Sequence, residues 1–309
     1  MYRVLVADRV DEVLVDVLRS HGLIVDYRPG ISREELIRVI GGYEVLVVRG
    51  RLRVDGEVLK GASRLRVIAR AGVGLDNIDL EYARRAGIRV VNAPAAPTQS
   101  VAELTIGLMI AAARRIAELN YMLRSDGVWR KGYGVELYGK RLLVVGFGRI
   151  GRRVAAIAKA IGMDVYAYDV VDVSRVADEM GVGVVDDLWE GVGAADVVSL
   201  HVPLTRSTYH LVNRDTIGFF KHGSILVNTA RGAVVEAEAV LRGLEDGLLY
   251  AYAADVLEHE PPATEAEWRL VRHPRVVLTP HIGSQTREAQ RRVAVETAKR
   301  ILEVLGVEG

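Results

Sequence analysis

The sequence predicts an α/β protein built from two doubly wound parallel sheets. Three observations lead there. A chain of 309 residues exceeds what one hydrophobic core ordinarily serves. Short apolar, β-branched runs alternate with amphipathic stretches almost from end to end, as buried parallel strands alternate with their covering helices. The segment Asn92-Ala-Pro-Ala-Ala-Pro97 interrupts this alternation with two prolines that suit neither a helix interior nor a central strand, so it reads as a crossing between domains.

In the first third, strands are expected at residues 3–7, 23–27, 45–48, 66–69 and 88–92. Between them Leu14, Val17 and Leu18, then Leu36, Ile37 and Ile40, keep the three-and-four spacing of one buried helical face. After the prolines, Ser100-Val-Ala-Glu103 has the spacing of a capping box and is expected to open a long apolar helix to about Leu119. A second series of strands follows at 142–146, 164–168, 197–200, 224–228, 250–255 and 276–279, and 285–305 closes the chain as a helix. The expected domains are residues 1–96 plus 285–309, a discontinuous unit, and residues 97–284.

Composition narrows the function. Half of the residues are hydrophobic, and 41 basic against 40 acidic side chains leave a formal charge of +1. That balance argues against disorder and against a polybasic nucleic-acid binder. The absence of cysteine excludes disulfides, thiolate metal centres and cysteine nucleophiles. The first ten residues carry Arg3, Asp8 and Arg9 instead of a signal peptide's apolar stretch, and the longest uncharged run, 90–102, is too short to span a bilayer. A cytoplasmic protein is expected, without a membrane segment. No metal site is expected either, since His201, His210, His259 and His273 lack ligand spacing.

Chemistry enters at Gly146-Phe-Gly148-Arg149-Ile150-Gly151, between an apolar strand and a helix-like stretch. There the glycines permit a tight turn, close approach of backbone to a pyrophosphate, and close packing of helix on strand. The next strand ends at Asp169, 18 residues beyond Gly151, where a carboxylate suits a ribose 2′-hydroxyl and repels a 2′-phosphate. NAD is therefore expected over NADP, and Arg175 lies a turn or more further on. Three polar residues then follow strand ends: Arg231, Glu260 and His281. Oxidising an alcohol beside a carboxylate needs a cation for the carboxylate, a base for the hydroxyl proton and a hydride acceptor. Arg231 offers the planar fork, His281 the base and Glu260 the group that orients the imidazole.

At this point the sequence resembles, over nearly its whole length, the D-isomer-specific 2-hydroxyacid dehydrogenases. The likeness rests on Arg70-Ala71-Gly72-Val73-Gly74-Leu-Asp-Asn-Ile-Asp79, the glycine turn with Asp169, His201-Val202-Pro203-Leu-Thr205, Asn228-Thr229-Ala230-Arg231-Gly232, residues 255–261, and Pro280-His281-Ile-Gly283-Ser284. The resemblance implies a flavodoxin-like substrate domain and a Rossmann NAD domain with a cleft between them, and a catalytic triad of Arg231, Glu260 and His281. It implies Asp255 on the nicotinamide carboxamide, and backbone N–H groups of Ala71, Gly72, Val73 and Gly74 on the substrate carboxylate. Further cofactor contacts implied are Val73, Arg149, Ile150, His201, Val202, Pro203, Thr208, Thr229, Ala230, Gly283 and Ser284. Within the family the likeness leans toward members that oxidise 3-phosphoglycerate, the first step of serine synthesis.

Charge patterning adds to that leaning. Arg49, Arg51 and Arg53 alternate after the strand at 45–48, and Arg70 follows the next strand. On an extended segment the three would project to one side and could meet a phosphate dianion, although a solvated basic loop has the same spacing. The sequence ends just after its last helix, so a C-terminal regulatory domain and serine feedback are not expected. The helix from Ser100, with Tyr121, Trp129, Tyr133 and Tyr138 beyond it, suggests a homodimer contact, or else cover for the domain's own core. Two rival readings stand beside a phosphorylated small-molecule substrate: a glyoxylate or hydroxypyruvate reductase, and a NAD-sensing corepressor-like binding protein.

Overall fold

The computed structural model describes residues 1–307, so residues 308 and 309 of the expected 285–309 segment lie outside the described residues. The chain divides into two compact units, Met1–Thr98 with Ser284–Gly309, and Gln99–Gly283.

In the first unit the chain runs β1 (Arg3–Val6), α1 (Glu12–Ser20), β2 (Ile24–Tyr27), α2 (Arg33–Val39), β3 (Val45–Val48), α3 (Gly56–Lys60), β4 (Val67–Arg70), α4 (Leu80–Arg85) and β5 (Arg89–Asn92). The strands form one parallel sheet in the order β2-β1-β3-β4-β5, the flavodoxin-like winding. Short acidic or hydroxyl side chains start the helices: Asp11, Ser32, Asp55 and Asp79 each accept a backbone N–H of the first turn. One face of the sheet packs on α1 and on the C-terminal helix Arg287–Leu305, whose Val293, Ala294, Ala298 and Ile301 are buried with Val4, Val6, Leu14 and Leu18. Buried Glu44 ties the strand starts together by accepting Arg3 N–H at 2.8 Å and pairing with Arg64.

The second unit carries α5 (Thr98–Ala113), α6 (Ile116–Ser125), β6 (Arg141–Val145), α7 (Arg149–Ala160), β7 (Asp164–Tyr168), α8 (Ser174–Glu179), β8 (Gly183–Val184), α9 (Leu188–Ala194), β9 (Val197–Leu200), β10 (Ser224–Asn228), α10 (Ala237–Glu245), β11 (Leu249–Ala254), α11 (Glu265–Arg272) and β12 (Val276–Leu278). Its seven parallel strands run β12-β11-β10-β9-β6-β7-β8, so the winding reverses between β6 and β9. Open α/β sheets bind ligands at such a reversal, beyond the carboxyl ends of the strands.

Two expectations change. Ser100 is buried inside α5 and does not cap it; the helix starts at Thr98, directly after Pro97, which suits a helix start because it needs no N–H partner there. The expected single helix to Leu119 is two. Arg115 adopts φ 55° between α5 and α6, held by its guanidinium on Glu118, while Val135 N–H takes the carbonyl of Ala113 at 2.8 Å and brings the 132–135 segment across the helix end. The two-residue edge strand β8 is too short to carry a periodic signal, and sequence patterning did not reveal it.

Candidate active site

The glycine turn sits at the reversal between β6 and β9. Gly146 has φ 93°, and a side-chain carbon there would meet the carbonyl oxygen of His201 at 2.7 Å, so the chain leaving β9 packs directly on the turn. Gly151 lies so near the Gly146 carbonyl that a methyl would overlap it, which keeps α7 tight on β6. At Gly148, the N-cap of α7, nothing lies within 4 Å of where a side chain would project. Open space before the free N–H groups of Arg149 and Ile150 is what an approaching pyrophosphate requires, so these residues fit NAD. Asp169 accepts Phe147 N–H at 2.7 Å and Val171 N–H at 3.3 Å, which fixes its carboxylate beside the turn. Its neighbours Val170 and Val171 are exposed and apolar, and Arg175 is paired with Glu179 on α8 at 3.1 Å. No cation is thereby directed at a 2′-phosphate by these neighbours.

The remaining residues expected around the cofactor brace one another. His201 Nε2 lies 2.8 Å from Ser199 Oγ, and burial pushes its imidazole down to about 4, so it is neutral at physiological pH. Val202 packs against Gly146. Thr208 Oγ1 donates to the Pro203 carbonyl at 2.6 Å and closes the 203–208 loop. Thr229 Oγ1 lies 2.9 Å from Thr105 Oγ1 on α5.

Arg231 is placed by a residue whose role was not read from the sequence. Buried Asn228, the last residue of β10, accepts Ala230 N–H at 3.0 Å and donates to the Arg231 carbonyl at 3.0 Å, so one side chain closes the turn from both ends. Glu260 and His281 meet directly, with His281 Nδ1 2.7 Å from Glu260 Oε2. The carboxylate can only accept, which puts the hydrogen on Nδ1 and leaves Nε2 to exchange a proton. The Glu260 hydrogen bond holds the imidazole above its usual pKa; burial opposes this, the Glu260 and Asp255 charges reinforce it, and the Arg231 charge opposes it. Arg231, Glu260, Asp255 and His281 thus share one electrostatic environment. Glu260 and His281 are in the wall of a hollow of about 430 Å³ whose apolar lining comes from Leu257, Pro261, Pro262, Val271, Leu278 and Pro280.

His281 itself has φ 53°, a conformation uncommon for a residue with a side chain. Asp255 accounts for it. This buried carboxylate accepts Thr279 Oγ1–H at 2.6 Å, Ile282 N–H at 2.8 Å and Gly283 N–H at 2.7 Å, while His281 N–H donates to the Asp255 carbonyl at 2.9 Å. Asp255 was expected on the cofactor; its visible work is to shape the turn that aims His281. Ser284, in the first unit, accepts Gln290 Nε2–H at its carbonyl at 2.6 Å.

In the first unit, the expected anion-binding residues divide. Arg49 follows β3 and Arg70 ends the adjacent strand β4; Arg49 N–H donates to Asp8 at 2.6 Å, and burial lowers the guanidinium's pKa. Arg51 turns back, giving Nε to Asp8 at 2.8 Å and Nη2 to the Ala7 and Ile31 carbonyls at 3.0 Å each. Arg53 is 82% exposed and lies 3.9 Å from Asp55. Residues 50–52 bend instead of continuing extended, and Asn77 Nδ2 donates to the carbonyls of Arg49 and Leu52, so the three alternate arginines do not share the extended geometry expected of them. In the loop after β4, Ala71 N–H donates to Val48 and Gly72 N–H to Arg70, whereas Val73 is held through its carbonyl by Asn92 at 2.6 Å. Gly72 has φ 149° and lies under the Arg70 guanidinium, where a side chain would overlap it.

The fold and this site define a class. Residues 106–283 match the D-isomer specific 2-hydroxyacid dehydrogenase, NAD binding domain, and the chain belongs to that family. A D-3-phosphoglycerate dehydrogenase of Methanocaldococcus jannaschii is 44% identical over 99% of this chain, which spans 58% of that protein's length. A hydroxypyruvate reductase of Thermotoga maritima is 42% identical over 99% of both chains. Among solved structures, a D-lactate dehydrogenase of Aquifex aeolicus in complex with NAD and lactic acid has a TM-score of 0.85 and 30% identity, over 98% of this chain and 96% of that one. Among the described residues, no helix is long and apolar enough to cross a membrane.

Proposed function

We propose that this chain is a NAD-dependent D-2-hydroxyacid dehydrogenase whose substrate is 3-phosphoglycerate, oxidised at C2 to 3-phosphohydroxypyruvate. The observation that carries the chemistry is the 2.7 Å bond between His281 Nδ1 and Glu260, with Arg231 near enough to oppose protonation of the ring. His281 Nε2 takes the hydroxyl proton as the C2–O bond becomes a carbonyl, and Glu260 stabilises the imidazolium that forms. Arg231 faces the carboxylate and the oxygen on C2. NAD, when bound, accepts the hydride from C2. In the reverse direction the protonated His281 returns its proton to the carbonyl oxygen.

In the first unit, we assign the phosphate to the arginines at the ends of the adjacent strands β3 and β4, Arg49 and Arg70, and the substrate carboxylate to backbone N–H groups of the 71–74 loop. The Thermotoga relative, alike over its full length, favours one second reading: reduction of hydroxypyruvate. We also assign a homodimer, through exposed Ile116, Tyr121 and Leu123 of α6 and the exposed Trp129, Tyr133 and Tyr138 that follow.

The test is a panel of phosphorylated and unphosphorylated 2-hydroxyacids and 2-oxoacids, each with NAD and NADP. 3-Phosphoglycerate with NAD should give the highest kcat/KM, and H281N should lower kcat by about 10²–10⁴-fold with NAD still bound. A preference for hydroxypyruvate over its phosphorylated form would transfer the assignment to the second reading. Unchanged turnover in H281N would remove the proposed base.

A further inference from the structure

Three histidines pair with three carboxylates around one short loop: His281 with Glu260, His210 with Glu258 at 2.9 Å, and His259 with Glu267 at 3.2 Å. Only the first is used by the proposed chemistry. Glu267, on α11, is 2% exposed, and its carboxylate oxygens collect donors from the loop before it. Oε1 accepts His259 N–H at 2.9 Å. Oε2 accepts Ala263 N–H and Thr264 N–H at 2.9 Å each, and Thr264 Oγ1–H at 3.1 Å.

A capping box accounts for part of this. The Thr264 side chain accepts Glu267 N–H, and Glu267 returns a bond to Thr264 N–H. The bonds to His259 and Ala263 go beyond it. They tie the residue directly before Glu260, and the third residue after it, to one buried carboxylate, so 260–262 is closed into a fixed loop. Burial alone would favour the neutral acid, yet the converging backbone N–H groups hold Glu267 ionised down to about 2. From the other side, Glu258 accepts His210 Nε2 and Tyr209 OH.

We infer that Glu267 is a positioning residue: by fixing the 259–264 loop it keeps the Glu260 carboxylate within hydrogen-bond range of His281. This rests on the roles given to Glu260 and His281 under Proposed function. The charged groups that act on His281 include Glu260, Asp255 and Arg231. Asp255 is held by Thr279, Ile282 and Gly283, and the turn bearing Arg231 by Asn228. Glu267 therefore reaches His281 through Glu260.

The test is E267Q in the full chain, read by NMR titration of the His281 ring without cofactor and by steady-state kinetics. A glutamine has one acceptor oxygen and cannot hold His259 and Ala263 together. His281 should titrate at a lower pH than in the wild type, and kcat should fall at least about tenfold with KM for NAD within about twofold. T264A keeps the carboxylate and its bonds to His259 and Ala263; it should lower Tm and leave the His281 titration in place. If E267Q does not fold, E267D, which withdraws the carboxylate by one methylene, carries the same expectation. A His281 titration unchanged in the glutamine or aspartate variant, or moved equally by T264A, would overturn the positioning role. A lowered titration in a protein that proves inactive as a dehydrogenase would support the positioning and remove the chemistry proposed for the pair.

Discussion

Replacing Gly232 with alanine adds one methyl group where the turn bearing Arg231 meets the loop bearing Glu260. The backbone at Gly232 is not in the left-handed region, so the demand there is for space alone. The added carbon would overlap the carbonyl carbon and oxygen of Leu257 and the amide nitrogen of Glu258, where ordinary contact lies at 3.4–4 Å. Both partners are backbone, so no side-chain rotation relieves the clash, and the two loops must separate by more than about 1 Å. Overpacking of this kind costs about 1–3 kcal/mol of stability. A misplacement of about 1 Å in a catalytic arrangement costs about 10²-fold in rate, which corresponds to about 2.7 kcal/mol of transition-state stabilisation. The turn at Gly146 to Gly151 is untouched, so the Kd for NAD should stay within about twofold. Steady-state kinetics, calorimetric titration with NAD and a thermal melt read the three quantities. G232A with kcat/KM within about threefold of the wild type would show that Arg231 and Glu260 do not depend on this contact, and the reasoning from backbone packing would fail.

Two further outcomes follow from the same site. E260Q removes the group chiefly responsible for raising the His281 pKa, so the acid limb of the oxidation profile, which needs the neutral ring, should move to lower pH; in the reduction direction, which needs the protonated ring, the alkaline limb should also move to lower pH. Limbs that stay in place would detach His281 from the proton transfer. For the proposed dimer, Y133D combined with W129D, at side chains 95% and 84% exposed, should shift sedimentation from dimer to monomer at micromolar concentration with the fold retained by circular dichroism; an unaltered dimer would place the contact elsewhere.

Much of the fold was legible because parallel strands buried on both faces are short runs of Val, Ile and Leu. Val45–Val48 is buried at every position, and its limits are those expected from composition. The C-terminal helix was legible through its period, and Thr286 caps it directly before Arg287. What failed was local rather than global. Ser100-Val-Ala-Glu103 has capping-box spacing, but Pro97 offered an earlier start, and a buried serine inside an apolar helix leaves no sequence trace of its position. The break at Arg115 depends on a segment some twenty residues later crossing the helix end, which no local window contains.

The site shows the same division more sharply. Arg231, Glu260 and His281 could be proposed from the sequence because their chemistry is in the side chain and each follows a strand. What holds them could not be named so easily, because support is a matter of who donates to whom. Asp255 is a carboxylate at a strand end like any candidate for chemistry, yet three donors from 279–283 converge on it, and those bonds sustain the unusual backbone of His281. Asn228 could have been read, since an asparagine two residues before an N–H it can accept is a recognised turn signal. Glu267 was half readable: Thr264-x-x-Glu267 is a capping box by spacing, but its reach back to His259 exists only once the loop has closed. The arginines after β3 illustrate the converse. Alternation predicts three cations on one side only if the backbone is extended, whereas residues 50–52 bend, with Asn77, more than twenty residues downstream, bound to two carbonyls of the segment. Candidate reactive groups are thus suggested by residue type, whereas their placement is set by backbone donors and acceptors brought together across the chain.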